Sequence, residues 1–112
     1  MKSTTVVNKY HKVPFDVYIG RGSPWGNPYP IGEDSRETVI RKYEEYLRAN
    51  RKLLERLEEL QGRSLGCYCA PAPCHGDILA AFVDSIVKTG AIPDYSISDE
   101  LFPKRPKLVF DN

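Results

Sequence analysis

The chain has 112 residues and a formal net charge of +1, with 41% hydrophobic and 28% charged residues. This length predicts one compact domain, and the composition is that of a globular protein rather than a disordered one. The near-neutral charge excludes bulk electrostatic attraction to nucleic acid, so any such binding would have to be local. No apolar stretch approaches the ~20 residues of a membrane span, and the first residues lack the apolar segment of a secretory signal, so a cytoplasmic location is expected.

The first part of the chain predicts two short strands and a long irregular loop. Residues 4–7 and 16–19 are rich in β-branched and aromatic side chains. The second strand runs into the segment Gly20–Gly32, which contains four glycines and three prolines. Because neither helix nor strand persists through such a composition, this loop must be held by side chains or by a ligand.

Helical periodicity dominates the middle of the chain. Asp34 and Glu37 match a capping box, which predicts a helix from about residue 35 to 49. A second amphipathic pattern at residues 53–60 ends at Gly62, a residue suited to a helix C-cap, and the periodicity leaves open whether the two segments form one helix. Three pairs of opposite charge four residues apart are expected on exposed faces: Arg41–Glu45, Glu44–Arg48 and Arg51–Glu55.

The last third predicts one more strand and one more helix. Residues 64–69 have the pattern of a strand, and an apolar stripe at 78–87 predicts a core helix closed by Gly90. Residues 1–90 are therefore expected to form a compact α/β domain. The proline-containing residues 91–112 are expected to form a C-terminal extended arm that folds back or reaches a partner.

This order of elements predicts an α/β fold: a small single-domain sandwich of two or three layers, with a short, mainly parallel sheet of three or four strands and about three helices. In such a unit, loops that follow parallel strands emerge at the same edge of the sheet. Residues 20–32 and 69–77 are thus predicted to form one crevice, at the edge where open α/β sheets bind their ligands.

The first loop has the chemistry of a phosphate and nucleoside site. Glycines let backbone N–H groups approach an anion, and the Arg21 guanidinium can bind phosphate with two hydrogen bonds. Trp25 either stacks on a base or packs the loop onto the core, and Asn27 either binds a ligand or forms a turn. The candidate ligand-binding residues are Gly20, Arg21, Gly22, Ser23, Trp25 and Asn27.

The second loop concentrates soft metal ligands. Cys67 and Cys69 leave the same face of a strand, and Cys74 and His75 can return to it after the turn. These four residues are candidate zinc ligands, although their spacing is not that of a standard zinc finger. Two alternatives stay open: Cys74 as a nucleophilic or redox thiol at a helix start, and Cys67 with Cys69 as small buried hydrophobes.

Asp77 and His75 are the candidate catalytic residues. A carboxylate in the first helical turn is already favoured by the helix dipole, so Asp77 has a structural explanation as well. Its position beside His75 makes it the first choice for an acid, a base or an acceptor for a sugar hydroxyl.

The segments Val17–Pro28, Gly66–Pro71 and Cys74–Asp77 together resemble a small family of uncharacterised proteins, with a domain-of-unknown-function label, that occurs in bacteria, archaea and their phages. The similarity covers about residues 5 to 88. It implies no catalytic residue, and the presence of the family in phages suggests nucleotide, nucleic-acid or host-defence chemistry by association only.

Two functions of different classes follow, and the residues leave open whether the protein is an enzyme. The first is a small protein that binds and processes a nucleotide or nucleoside, as a hydrolase or transferase, through the crevice of residues 20–32 and 69–77. The second is a zinc-stabilised module that binds nucleic acid or protein without catalysis. A third role, association of copies through the amphipathic helix at residues 53–60, is also considered; no membrane partner is expected.

Overall fold

The computed structural model describes residues 4–8, 14–20, 22–29, 35–67 and 74–103. In chain order its elements are β1 (Thr5–Asn8), β2 (Val17–Tyr18), α1 (Arg36–Ala49), α2 (Arg51–Glu55), a 3₁₀ helix (Leu57–Leu60), β3 (Ser64–Cys67), α3 (His75–Thr89) and α4 (Ile97–Leu101). The predicted α/β fold is confirmed. Within the described ranges no helix is both long and apolar enough to cross a membrane.

The three strands form a parallel sheet in the order β1-β3-β2, so the last strand in sequence lies at the centre. Val6 of β1 and Val17 of β2 are both in register with Leu65 of β3. Leu65 and Cys67, whose side chains share one face of β3, are both buried, as expected for a central strand packed against the core. The carboxyl ends of β2 and β3 lie at the same edge, which we call the carboxyl edge.

The helices pack by the stripes that the sequence predicted. The buried residues of α1 and α3 include Val39, Ile40, Tyr43, Leu47, Ile78, Leu79, Phe82 and Val83. The start of α1 differs from the prediction, because the N-cap is Ser35, whose side chain accepts a hydrogen bond from the Thr38 backbone N–H at 3.2 Å. Asp34, the predicted cap, lies outside the described residues.

The second amphipathic segment is a separate helix. Asn50 ends α1 and caps α2, since its Oδ1 accepts from the Leu53 backbone N–H at 3.2 Å. Leu53, Leu57 and Leu60 are buried in the core, and the 3₁₀ helix packs against α3. These three leucines are packed within the protein's own core, and association of copies through this segment stays a prediction.

The segment after α3 folds back onto α1 rather than extending away. Ile97 is part of the core, and Glu44 of α1 accepts hydrogen bonds from the Ile97 and Ser98 backbone N–H groups at 3.0 and 2.8 Å. Glu44 also pairs with Arg48 at 2.7 Å and is only 4% exposed. The prediction that this ion pair lies on an exposed face is wrong, because α4 covers the Glu44 carboxylate.

A second contact ties the same segment to α1. Arg41, predicted to pair with Glu45, forms ion pairs with Glu37 at 3.0 Å and with Asp99 of α4 at 2.6 Å. Residues 104–112, the remainder of the predicted arm, lie outside the described part of the chain.

Candidate functional site

The end of β2 and the start of α3, which border the two predicted loops, meet at the carboxyl edge. His75, the first residue of α3, lies with its Nε2 2.6 Å from the carbonyl oxygen of Ile19, which directly follows β2. A carbonyl only accepts hydrogen bonds, so Nε2 carries a proton and donates it. Ile19 is itself held to the sheet, because its N–H donates to the Gly66 carbonyl at 3.0 Å. The start of α3 is thereby fixed against the end of β2.

A glycine in the first turn of α3 permits this close approach. A Cβ atom on Gly76 would lie 2.7 Å from Ile19 Cδ1 and 3.1 Å from Val6 Cγ1. Both distances are shorter than ordinary carbon contacts, so a larger residue would require the Ile19 side chain or α3 to shift. Glycine at residue 76 therefore allows the start of α3 to lie directly against these side chains.

Two of the three cysteines face each other beneath this helix start. The Sγ atoms of Cys67 and Cys74 are 3.4 Å apart, both residues are buried, and no disulfide joins the two. Cys74 is also the N-cap of α3, and its Sγ accepts from the Gly76 N–H at 3.2 Å. The hydrogen bond with Cys67 and burial raise the pKa of Cys74, which favours the neutral thiol and argues against an activated nucleophile.

Asp77 completes the cap of the same helix. Its Oδ2 accepts from the Cys74 backbone N–H at 2.9 Å, which forms a capping box. Burial raises the pKa of Asp77, and this effect outweighs the opposing influence of the Cys74 N–H and of His75. The carboxyl group therefore combines the structural role with a proton affinity above that of an ordinary aspartate.

The Tyr43 side chain of α1 contacts both the first loop and the start of α3. The ring of Tyr43 packs edge-on against His75 with centroids 5.0 Å apart, and its hydroxyl donates to the Trp25 carbonyl at 2.9 Å. Trp25 is 2% exposed and belongs to the core, so its packing matches the structural interpretation, while a stacking role stays a prediction. Sequence reasoning treated Tyr43 only as an apolar helix position and missed its contacts to both loops.

The other candidate residues of this loop form local turns. The Ser23 N–H and hydroxyl both donate to the Gly20 carbonyl, at 3.1 and 2.7 Å, and Gly22 between them has a φ of 92° that favours glycine. Asn27 Oδ1 accepts from the backbone N–H two residues later at 2.8 Å. Arg21 lies outside the described residues, so its predicted phosphate contact stays a prediction.

The predicted zinc ligands are brought together in part. Cys67 and Cys74 are adjacent, whereas the Nε2 of His75 is engaged by the Ile19 carbonyl. Cys69 lies outside the described residues. Among those that are described, no three His, Cys, Asp or Glu side chains are grouped to hold a metal ion.

A separate surface depression of about 430 Å³ lies between α1 and the C-terminal segment, with Arg41, Glu44, Arg48 and Tyr95 among its lining residues. Its charged groups anchor α4 in the contacts described above. We therefore assign it to the packing of the C-terminal segment and keep the carboxyl edge as the candidate site.

Comparison with known proteins places the chain in a family. A family model described as "Domain of unknown function (DUF4326)" matches residues 4–85. The chain belongs to this family. It is also 40% identical over 98 residues to the "Uncharacterized 12.4 kDa protein in nrdA-td intergenic region" of Enterobacteria phage T4, covering 84% of this chain and 86% of the phage protein. No solved structure matches the chain. The DUF4326 match spans every candidate site residue and ends before α4.

Proposed function

We propose that this protein binds a nucleotide or nucleoside in the crevice of residues 20–32 and 69–77 and processes it by proton transfer, as a hydrolase or transferase. The hydrogen bond between His75 and the Ile19 carbonyl carries the proposal, because it joins the glycine-rich turn and the acidic start of α3 at one edge. Ligands of open α/β sheets bind at this edge.

The phosphate of the ligand is assigned to the first loop. Gly22 adopts a positive φ that exposes backbone in the turn, and Arg21 next to it supplies a fixed positive charge. The positive end of the 15-residue helix α3 points to the same edge. The backbone of the turn, the Arg21 side chain and the dipole of α3 would each contribute to anion binding.

Proton transfer is assigned to Asp77 and His75. The raised pKa of Asp77 brings its carboxyl group closer to the working range of a general acid or base. His75 is the second candidate, and its Nε2 donates to the Ile19 carbonyl, which holds the imidazole at the carboxyl edge.

The test combines thermal shift with turnover on a panel of nucleotides and nucleosides. A ligand at a hundredfold excess over Kd should stabilise the protein by about 2.7 kcal/mol. Asp77→Asn keeps an oxygen that can cap Cys74, so it should retain folding and ligand binding and lose turnover. Asp84→Asn, on the same helix about 10 Å further along, is the control that should retain both.

The outcomes separate the hypotheses. No stabilisation by any nucleotide or nucleoside would refute the proposed ligand class. Stabilisation of the wild type without turnover of any panel member would refute the catalytic part and leave a binding protein. Equal turnover in Asp77→Asn and the wild type would remove Asp77 from the mechanism.

A second candidate function is a zinc-stabilised module that binds nucleic acid or protein. The 3.4 Å approach of Cys67 and Cys74 favours it, since two thiol ligands are already adjacent. Completion of the site depends on Cys69 and His75. Metal analysis of protein purified without chelator should then find one equivalent of zinc, which Cys69→Ser should lose; absence of metal from the wild type would refute it.

A further inference from the structure

We propose that Cys67 and Cys74 form a reversible disulfide under oxidising conditions, which makes this pair a site of redox modification at the carboxyl edge. The proposal stands on the position of the two thiols and is independent of the proposed ligand. Their Sγ atoms are already 3.4 Å apart, and both residues lie at the ends of fixed elements.

The fixed elements keep the two sulfurs together. Cys67 ends β3, which is paired on both sides, and its backbone is in register with Asn8 of β1. Cys74 is held as the N-cap of α3, and the contact of Gly76 with Ile19 sets the position of that helix. Because the two thiols are held close together in one folded chain, the reaction between them is intramolecular.

The remaining movement is small. A disulfide has an S–S distance of about 2.0 Å, so the sulfurs must approach by about 1.4 Å for the bond to form. The bond would close a ring from residue 67 to 74, linking the end of β3 directly to the start of α3. It would also withdraw Cys74 Sγ from its hydrogen bond with Gly76.

The chemistry balances with hydrogen peroxide as the oxidant. The minor thiolate form of one cysteine attacks the O–O bond and becomes a sulfenic acid, while the other peroxide oxygen leaves as water after protonation, so the reaction needs no cysteine that is ionised at rest. The second thiol then attacks the sulfenic sulfur and expels a second water. Two thiol protons and two electrons leave the pair, the peroxide is reduced to two waters, and a dithiol reductant reverses the step by thiol–disulfide exchange.

The experiment treats folded, reduced protein with hydrogen peroxide and measures intact mass and free thiols. The wild type and Cys69→Ser should each become two hydrogen atoms lighter and lose two thiols, with recovery after dithiothreitol. Cys67→Ser and Cys74→Ser should show no such loss. Circular dichroism before treatment checks that each variant is folded.

The wild type alone gives a second readout that needs no variant. After oxidation the remaining thiol is alkylated, and tandem mass spectrometry of chymotryptic peptides locates the label. The proposal expects the label on Cys69. A label on Cys67 or Cys74, a disulfide in Cys67→Ser or Cys74→Ser, or a wild type that reaches sulfinic acid without cross-linking would overturn it.

Discussion

The buried carboxylate of Glu44 allows a quantitative test of how the C-terminal segment is held. Its Oε2 accepts from the Ile97 N–H at 3.0 Å and from the Arg48 guanidinium at 2.7 Å, and its Oε1 accepts from the Ser98 N–H at 2.8 Å and hydroxyl at 2.7 Å. In Glu44→Gln one acceptor becomes an NH₂ donor. In either amide orientation this donor faces a backbone N–H, which leaves a buried group without a partner.

The size of the stability loss is worked out for the orientation of the Glu44→Gln side-chain amide that has the lower free-energy cost. The amide oxygen stays toward Arg48 and Ile97, and the Ser98 N–H, on a residue 1% exposed, loses its acceptor. An orphaned buried donor costs about 1–3 kcal/mol, and loss of the charge on the Arg48 bonds adds about 1 kcal/mol. We therefore expect Glu44→Gln to lower the free energy of unfolding by about 2–4 kcal/mol, with faster hydrogen exchange at Ser98.

Urea denaturation measures this loss, and Glu45→Gln on the exposed side of α1 is the matched control, expected within about 0.5 kcal/mol of wild type. Burial alone would raise the pKa of Glu44, but its hydrogen bonds from Ser98, Arg48 and Ile97 outweigh burial and lower it below 4.5. Its contribution is therefore present at neutral pH and is lost as the pH falls through the folded-state value. Equal stability of the two glutamine variants would refute this account of the anchor.

Three further predictions concern the carboxyl edge. Because burial raises the pKa of Asp77 above 3.8, its carboxyl ¹³C signal should titrate above that pH, and Asp77→Asn should gain stability relative to wild type as the pH rises through that midpoint; a lower midpoint would contradict the assignment. Gly76→Ala should cost about 1–3 kcal/mol in urea unfolding through the clash with Ile19, and an unchanged midpoint would contradict the close approach. Tyr43→Phe should cost about 1–2 kcal/mol by leaving the Trp25 carbonyl without its donor, and retained stability in thermal unfolding would show that water replaces the hydroxyl.

The sequence predicted the elements whose signals are local. The apolar period places α1 within one residue of its observed start at Arg36, and the apolar stripe at 78–87 lies within α3. The parallel order also predicted that the end of β2 and the start of α3 share an edge. These features depend on residues close together in the chain, or on topology that holds for most α/β units.

The features that could not be predicted depend on partners far apart in sequence. Glu44 and Arg48 have the spacing of an exposed helix pair, and their burial depends on Ser98, which is 54 residues away from Glu44. Tyr43 occupies an ordinary apolar position, and only the folded chain brings its hydroxyl to the carbonyl of Trp25. A local signal of α4 is the N-cap residue Ser96, whose hydroxyl accepts a hydrogen bond from the Asp99 N–H. This pattern alone is too short to predict a helix.

The central place of β3 in the sheet has a consequence for biosynthesis. β1 and β2 do not pair with each other, because β3 lies between them. Both therefore emerge from the ribosome as single strands, and their backbone pairing forms only after Ser64–Cys67 has been synthesised. A nascent chain arrested before residue 64 would carry α1 with an uncovered apolar stripe and no sheet to dock on. Docking of α1 on a sheet therefore requires the synthesis of β3, and until β3 has emerged the preceding chain exposes apolar surface that the folded protein buries.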